Sequence, residues 1–315
     1  MSRLIEPGIF YDMTADEYFA DPCPAPSFTQ SLAKLVLEQS TLHAMHQHPK
    51  LAPNREDDDE EEKYTRAKAI GNAVHTTLIG RGKKLAIGEF DNFKKKAAKE
   101  FRDDAYAAGM EPILRKHMTE AENVVTAVRV QVQRAGWANA FCLGKGEAVA
   151  CWQENGLWFR TMIDWITPDM RECYDAKTTE ASFAPHIIGR KMVADGWDVQ
   201  AAMHERALDA IDPNGAGRRK FRYVAIENYP PYAMVPVEMT ETWLTMGRKK
   251  LAVAIDQWRA AMATGKFAGY PLEPCRPEYP GYAENAWLGR ELGEFAREDH
   301  QNERPQRSAD YIQAG

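Results

Sequence analysis

The sequence predicts a mixed α/β fold in which a central mixed β-sheet is flanked by helices. Three observations carry that expectation. Residues 146–178 hold three strand-like runs in succession. Residues 221–226 and 233–237 form a further strand-like pair, interrupted by Pro230 and Pro231. Segments 63–80, 114–135, 183–208 and 240–262 place apolar residues at helical spacing before and after those strands. Period-two and period-3.6 patterns in this order call for a sheet with helices packed on it.

The strands come first because they hold the chemistry. Ala148, Ala150 and Trp152 recur at strand spacing, and Glu154, Asn155 and Gly156 are hairpin-turn residues. The next run alternates Trp158, Arg160, Met162 and Asp164 with Phe159, Thr161 and Ile163. After a turn at Thr167, Pro168 and Asp169, a third run covers 172–178. Asp164 therefore falls near the end of the second strand and Asp175 inside the third. Lys177 follows Asp175 by two positions, so both emerge on one face. Carboxylates brought close raise each other's pKa unless a cation sits between them. A hard divalent ion takes carboxylate oxygens, and a lysine beside such a pair suits metal-assisted phosphodiester hydrolysis. An ordinary solvated strand edge uses the same residues, so spacing alone leaves both readings open.

In chain order, residues 1–10 suggest an arm or strand, and Asp12 with Thr14 starts a short helix over 15–19. Ser27 or Thr29 caps a helix containing Leu32, Leu35 and Val36, expected to run through Leu42 to Pro49. His43, His46 and His48 cluster there, but their spacing fits no compact ligand set and solvated histidines are expected. Residues 56–62 are all acidic and read as a solvated tether. Helix 63–80 contains Gly71, which permits close packing on the sheet, with His75 one turn later on the same side. Residues 90–106 read as mostly helical. They carry Lys94, Lys95, Lys96 and Lys99, the clearest basic patch; such a run is ordinarily a solvated face, and on a nuclease it is one candidate for phosphate contacts, along with Arg81, Lys83 and Lys84.

Beyond the central strands, Trp197, Gln200, Ala201 and His204 lie on related helical faces, and 211–219 is a turn. Helix 240–262 is bounded by Gly265 and the run Gly269-Tyr270-Pro271. The tail includes a short helix at 283–295 and is polar enough to be disordered beyond residue 296. The expected organisation is an N-terminal arm, helix and acidic loop (1–62), a core with a helical insertion (63–272), and a tail (273–315).

Charged residues make up 27% and hydrophobic ones 44% of the 315 residues, a globular balance. A formal net charge of -6 excludes a chain that binds nucleic acid by overall charge, although a basic groove on an acidic body is compatible with it. The five cysteines show no Cys-x-x-Cys pairing, so neither a disulfide framework nor a zinc site is expected. With no long apolar span, the expected location is cytoplasmic, without membrane association.

The segment Asp164, Asp175-Ala176-Lys177 and Thr178-Thr179, with Gly71-Asn72-Ala73-Val74-His75 upstream and Trp197-x-x-Gln200 downstream, resembles the PD-(D/E)XK nuclease superfamily. More narrowly it is similar to the exodeoxyribonuclease VIII-like (RecE-like) branch of phages and prophages. His204 departs from that branch, where an aromatic is usual. The resemblance implies a restriction-endonuclease-like core and a Mg²⁺ cofactor, with Mn²⁺ substituting. The ion would be held by His75, Glu147, Asp164, Asp175 and the Ala176 carbonyl. Asp164, Asp175, Lys177 and Gln200 are the implied catalytic set. It also implies a 5′-to-3′ exonuclease acting on double-stranded DNA ends, a single-strand annealing recombinase as partner, and a ring-like homo-oligomer in a bacterial host. A structure-specific or single-strand endonuclease shares this chemistry, and a non-catalytic DNA-binding or assembly protein shares the fold.

Overall fold

The computed structural model describes residues 5–54 and 64–302, with side chains up to residue 293. The chain divides into two compact units, Met1–Tyr270 and Pro271–Gly315. The first unit opens with β1 (Gly8–Phe10) and α1 (Ala15–Phe19). Thr14 caps α1 in a reciprocal pair with Glu17. Next come β2 (Ser27–Phe28), α2 (Gln30–Glu38) and α3 (Thr41–His46). The single helix expected here breaks at Gln39, because Ser40 caps a second start through His43 N–H. Thr29 caps α2, whereas Ser27 is a strand residue.

After α4 (Arg66–Ile79) the chain forms a small parallel pair, β3 (Leu85–Gly88) and β4 (Glu111–Leu114), joined by α5 (Lys96–Ala107). The helix expected over 90–106 is thus shorter than its periodicity suggested. Gly88 lies where an added Cβ would come within 2.8 Å of the Phe101 ring, so the turn into α5 is tightly packed. Helix α6 (Arg115–Arg134) follows β4 directly. The long hairpin of β5 (Lys145–Glu154) and β6 (Leu157–Ile166) then leads to β7 (Glu172–Thr179). The expected helical region after β7 is two helices, α7 (Ile188–Asp195) and α8 (Trp197–Ile211), parted by left-handed Gly196. The unit closes with β8 (Lys220–Glu227), β9 (Met234–Glu238) and α9 (Glu241–Thr264).

The main sheet runs β1-β5-β6-β7-β8-β9 and is mixed: β7 and β8 pair in parallel, the other neighbours in this row antiparallel. One core, built from α4 and α6, covers Trp165, Tyr174, Val224 and Ile226. Another, built from α2, α8 and α9, covers Ala150, Trp152 and Phe159. On β8 the alternate residues Phe221, Tyr223 and Ala225 belong to a third cluster with Trp197 and Ala201 of α8. A strand covered on both faces reads as a continuous apolar run, as β8 does.

One edge of β6 positions the site. Near its start, Trp158 and Phe159 pair in parallel with Ser27 and Phe28 of β2. Near its end, Trp165 and Ile166 pair with Tyr174 and Cys173 of β7. Between those pairings β6 and β7 diverge, and Asp164 stands at the lip of the opening. Helix α10 (Gly281–Asn302) belongs to the second unit and extends past 295 into residues expected to be disordered. The acidic run 56–62 lies outside the described residues. Among the described residues, no helix is long and apolar enough to cross a membrane.

Candidate active site

The opening between β6 and β7 leads into a cleft of about 920 Å³. Its walls include His75, Glu147, Asp164, Ala176, Lys177 and Gln200, six of the residues singled out from the sequence. Strands β5, β6 and β7 and helices α4 and α8 bring them together. The period of β7 sends Asp175 and Lys177 one way and Ala176 and Thr178 the other. On the Thr178 side, α4 crosses so closely that a Cβ on Gly71 would lie 2.8 Å from Thr178 Oγ1. That approach carries His75, one turn on, to within 3.3 Å of Asp164 Oδ2 through its Nε2. On the Asp175 side, α8 presents Gln200, whose Nε2 donates to Asp175 Oδ2 at 2.6 Å.

The two aspartates are linked through the backbone, since Ala176 N–H donates to Asp164 Oδ2 at 3.2 Å. Lys177 Nζ lies 2.7 Å from Asp175 Oδ1, and 5.8 Å from the centre of the Tyr223 ring. Asp175 is 7% exposed and sits behind Lys177 and Gln200 rather than on the cleft wall. Its Oδ1 is buried and, despite the nearby ammonium, accepts no hydrogen bond of good geometry. Glu147 falls opposite Asp164, between the pairs Gly146–Trp165 and Ala148–Ile163. Its backbone is left-handed, with φ 49°, which costs a non-glycine residue energy and breaks the regular ladder. Arg81 Nε lies 3.7 Å from its carboxylate, and the Arg81 guanidinium also donates to the carbonyls of Tyr11 and Met13.

Burial is the largest influence on each group here, and neighbouring charges reverse its direction at Asp164 and His75 but not at Asp175 or Glu147. Burial and the Asp164 charge raise the Asp175 pKa beyond what Lys177 and His75 offset. Burial also pushes Asp164 up, but His75, Lys177 and the Ala176 N–H outweigh it and hold Asp164 low. His75 is raised because Asp164, Asp175 and Glu147 overcome its desolvation. Glu147 is raised by burial, which His75 and Arg81 only partly counter. Behind the strands, burial lowers His204 to about 4, so it is a neutral packing residue at the position where the resemblance expected an aromatic.

The donor types suit a hard divalent cation: Glu147, Asp164, His75 and Ala176 line the cleft, and the Asp175 carboxylate lies just behind Lys177 and Gln200. Among the described residues no three His, Cys, Asp or Glu side chains already form a ligating group. Glu147 faces Arg81, and Asp175 faces Lys177 and Gln200.

Other expected residues lie elsewhere. Lys94, Lys95, Lys96 and Lys99 are exposed, and Lys94 borders a separate cavity. Lys68 and Lys83 line the cleft itself, as do Gln30, Asn72 and Glu111. Lys83 had a signal in its basic neighbours. Gln30, which opens α2 just after the two-residue β2, and Glu111, which opens the four-residue β4, had none, because those strands are too short to show a period. His48, expected to be solvated, is fully buried and contacts the Ser27 carbonyl and Asp21. The turn after α3 folds it inward against Trp258.

A family profile described as a PDDEXK-like domain of unknown function (DUF3799) matches residues 39–276. Among solved structures, a presumed exonuclease from Eubacterium rectale superposes with a TM-score of 0.55 at 13% identity, covering 85% of this chain and 96% of that one. A phage-related exonuclease from Haemophilus somnus 129PT gives a TM-score of 0.31 at 10% identity, over 76% and 96% of the two chains. An alkaline exonuclease from Laribacter hongkongensis gives 0.28 at 12%, over 63% and 93%. At these identities only the fold is established, and by the first of the three. No curated protein matches the sequence.

Proposed function

The chain belongs to the PDDEXK-like family DUF3799, and from that premise we propose that it is a metal-dependent deoxyribonuclease that degrades linear duplex DNA from its ends. The observation that carries this reading is the meeting of Asp164, Asp175 and Lys177 where β6 and β7 part, beside a cleft open to solvent.

Asp164, Asp175, Glu147, His75 and the Ala176 carbonyl would hold the ion, taken to be Mg²⁺ with Mn²⁺ able to replace it. When bound, it supplies a Lewis acid for the phosphoryl oxygens and lowers the pKa of water. The chain's own groups do the rest. Lys177 offsets negative charge gathering on the phosphoryl oxygens and orients the attacking water. Gln200 fixes the Asp175 carboxylate through its 2.6 Å hydrogen bond, and His75 does the same for Asp164. Lys68 and Lys83 on the cleft wall, and Lys94 to Lys99 beyond it, are proposed to bind DNA phosphates. A 5′-to-3′ direction, a ring-like homo-oligomer and a single-strand annealing recombinase as partner belong to the same proposal and rest on the sequence resemblance.

The test compares end-labelled linear duplex with closed circular plasmid, in Mg²⁺, in EDTA and with Asp175→Ala. Progressive loss from linear ends, absent in both controls and on the circle, is the expected result. Cleavage of the circle would make the protein an endonuclease. Folded protein that cuts neither substrate would overturn the nuclease reading.

A further inference from the structure

A second cavity, of about 560 Å³, opens where Tyr64 just ahead of α4, the loop 91–94, α5, the end of β4 and the start of α6 meet. That volume is within the roughly 300–1,000 Å³ of small-molecule sites. Aromatic rings form one side of it. Tyr64 stacks on His117, with ring centres 5.7 Å apart and planes 13° from parallel, and meets Phe93 edge-on at 4.7 Å. The Tyr64 hydroxyl bonds to His117 Nδ1, which fixes the pair. Phe93, half-buried, is the ring on the loop side.

Charge forms the other side. Arg102 is taken up by Asp103 at 2.7 Å, and Asp91 adds a second acid to the wall. Lys94 and Lys116 also line it, and among the described residues neither enters an ion pair. Helix α6 starts here with no side chain capping its first turn, which adds a partial positive charge. An aromatic platform bordered by free ammonium groups matches a nucleotide, whose base stacks while its phosphate meets the cations.

The cavity is tied to the catalytic cleft by two elements. Tyr64 lines this cavity, and Ala67 and Lys68, on the first turn of α4, line the cleft. Glu111 at the start of β4 lines the cleft, and Leu114 at its end lines the cavity. Three strand residues span roughly 10 Å, about three stacked nucleotides at 3.4 Å each.

We propose that this cavity binds a single unpaired deoxynucleotide, its base against Phe93 and Tyr64 and its phosphate against Lys94 and Lys116. The occupant is a nucleotide of the strand passing through the cleft, or one released from it; the short path favours the strand. The proposal rests on the nuclease reading only for the identity of that strand.

The test uses full-length protein in EDTA, so that nothing is cut, and 2-aminopurine fluorescence. The probe is placed at successive positions of a single-stranded overhang in one arm and supplied as free 2-aminopurine deoxynucleoside monophosphate in the other. Quenching confined to one overhang position identifies the strand as source, and quenching of the free nucleotide at comparable concentration identifies released product. Phe93→Ala is expected to abolish the quench and weaken binding about 5- to 100-fold, the loss of one base stack. Phe93→Trp is expected to restore both, which separates stacking from a folding defect. Lys116→Gln is expected to lower the salt dependence of binding. No quench in either arm, or a quench unchanged by Phe93→Ala, would overturn the proposal. The same samples are assayed with Mg²⁺ on linear duplex. Cleavage without quenching sinks the cavity alone, whereas quenching without cleavage sinks the nuclease reading and leaves the cavity standing.

Discussion

Asp21 and Asp175 are both buried acids beside cations, and both lie near β6, yet their surroundings differ in kind. Asp21 accepts from the N–H of Cys23 at 3.2 Å, from Ser27 N–H at 2.9 Å and from Ser27 Oγ at 2.8 Å. The Arg160 guanidinium lies 3.2 Å from it, and His48 Nε2 lies 3.3 Å away. Burial alone would raise its pKa, but His48, Arg160 and Ser27 together bring it down to about 2. Asp175 has one hydrogen bond from Gln200 at 2.6 Å and the Lys177 ammonium at 2.7 Å, but burial and the Asp164 carboxylate raise its pKa. The first cluster is saturated by the protein and holds the N-terminal segment to the sheet. In the second, negative charge and burial outweigh the nearby positive charge, which is the condition for taking up a cation.

That contrast can be broken by mutation. Activity should fall most, on the order of 10²- to 10⁴-fold, in Lys177→Ala or Asp175→Asn, as expected for loss of a group acting in the transition state. Full turnover in Lys177→Ala, measured on linear duplex, would remove it from the mechanism. Stability should respond in the opposite places. Asp21→Ala strands Arg160 as a buried charge beside His48 and should cost about 3–5 kcal/mol in chemical denaturation. Asp175→Asn relieves a carboxylate that burial disfavours and should leave the midpoint unchanged or higher. Equal losses from both would erase the distinction.

The pH dependence follows with a definite sign. Asp21 has a lowered folded pKa, about 2 against an ordinary 3.8. Its contribution, about 2 kcal/mol, is present above pH 3.8 and is lost as pH falls through 2. Asp21→Asn should flatten that part of the acid denaturation curve. Gly71→Ala should have a smaller effect, about 1–3 kcal/mol, because the new methyl must push α4 from Thr178. Because His75 moves with the helix, turnover should fall together with stability; loss of stability with unchanged turnover would detach His75 from the site.

Period placed the side chains, whereas their reading as a site came from the family resemblance. Alternation on β6 and β7 placed Asp164, Asp175 and Lys177, and a glycine one turn before a histidine signalled the close helix crossing that delivers His75. What stayed hidden depends on contacts distant in sequence. The two-residue β2 is too short to show alternation, so its pairing with β6, which helps frame the cleft, could not be read. The same holds for β3 and β4, which place Glu111. His48 looked like a surface residue because its buried partners Asp21 and Ser27 lie more than twenty positions earlier in the chain. The left-handed turn at Glu147 is likewise a tertiary outcome, imposed where β5 passes the open lip of the sheet.

The central claim is that the β6–β7 opening is a cation site because burial and the crowding of Asp164 and Asp175 outweigh the positive charge beside Asp175. Its most direct test is calorimetric titration of Mn²⁺ into the wild type, Asp175→Asn and Asp21→Asn, each checked for folding. Binding is predicted in the wild type and in folded Asp21→Asn, and its loss in Asp175→Asn. Undiminished binding in Asp175→Asn, or none in the wild type, would contradict the account.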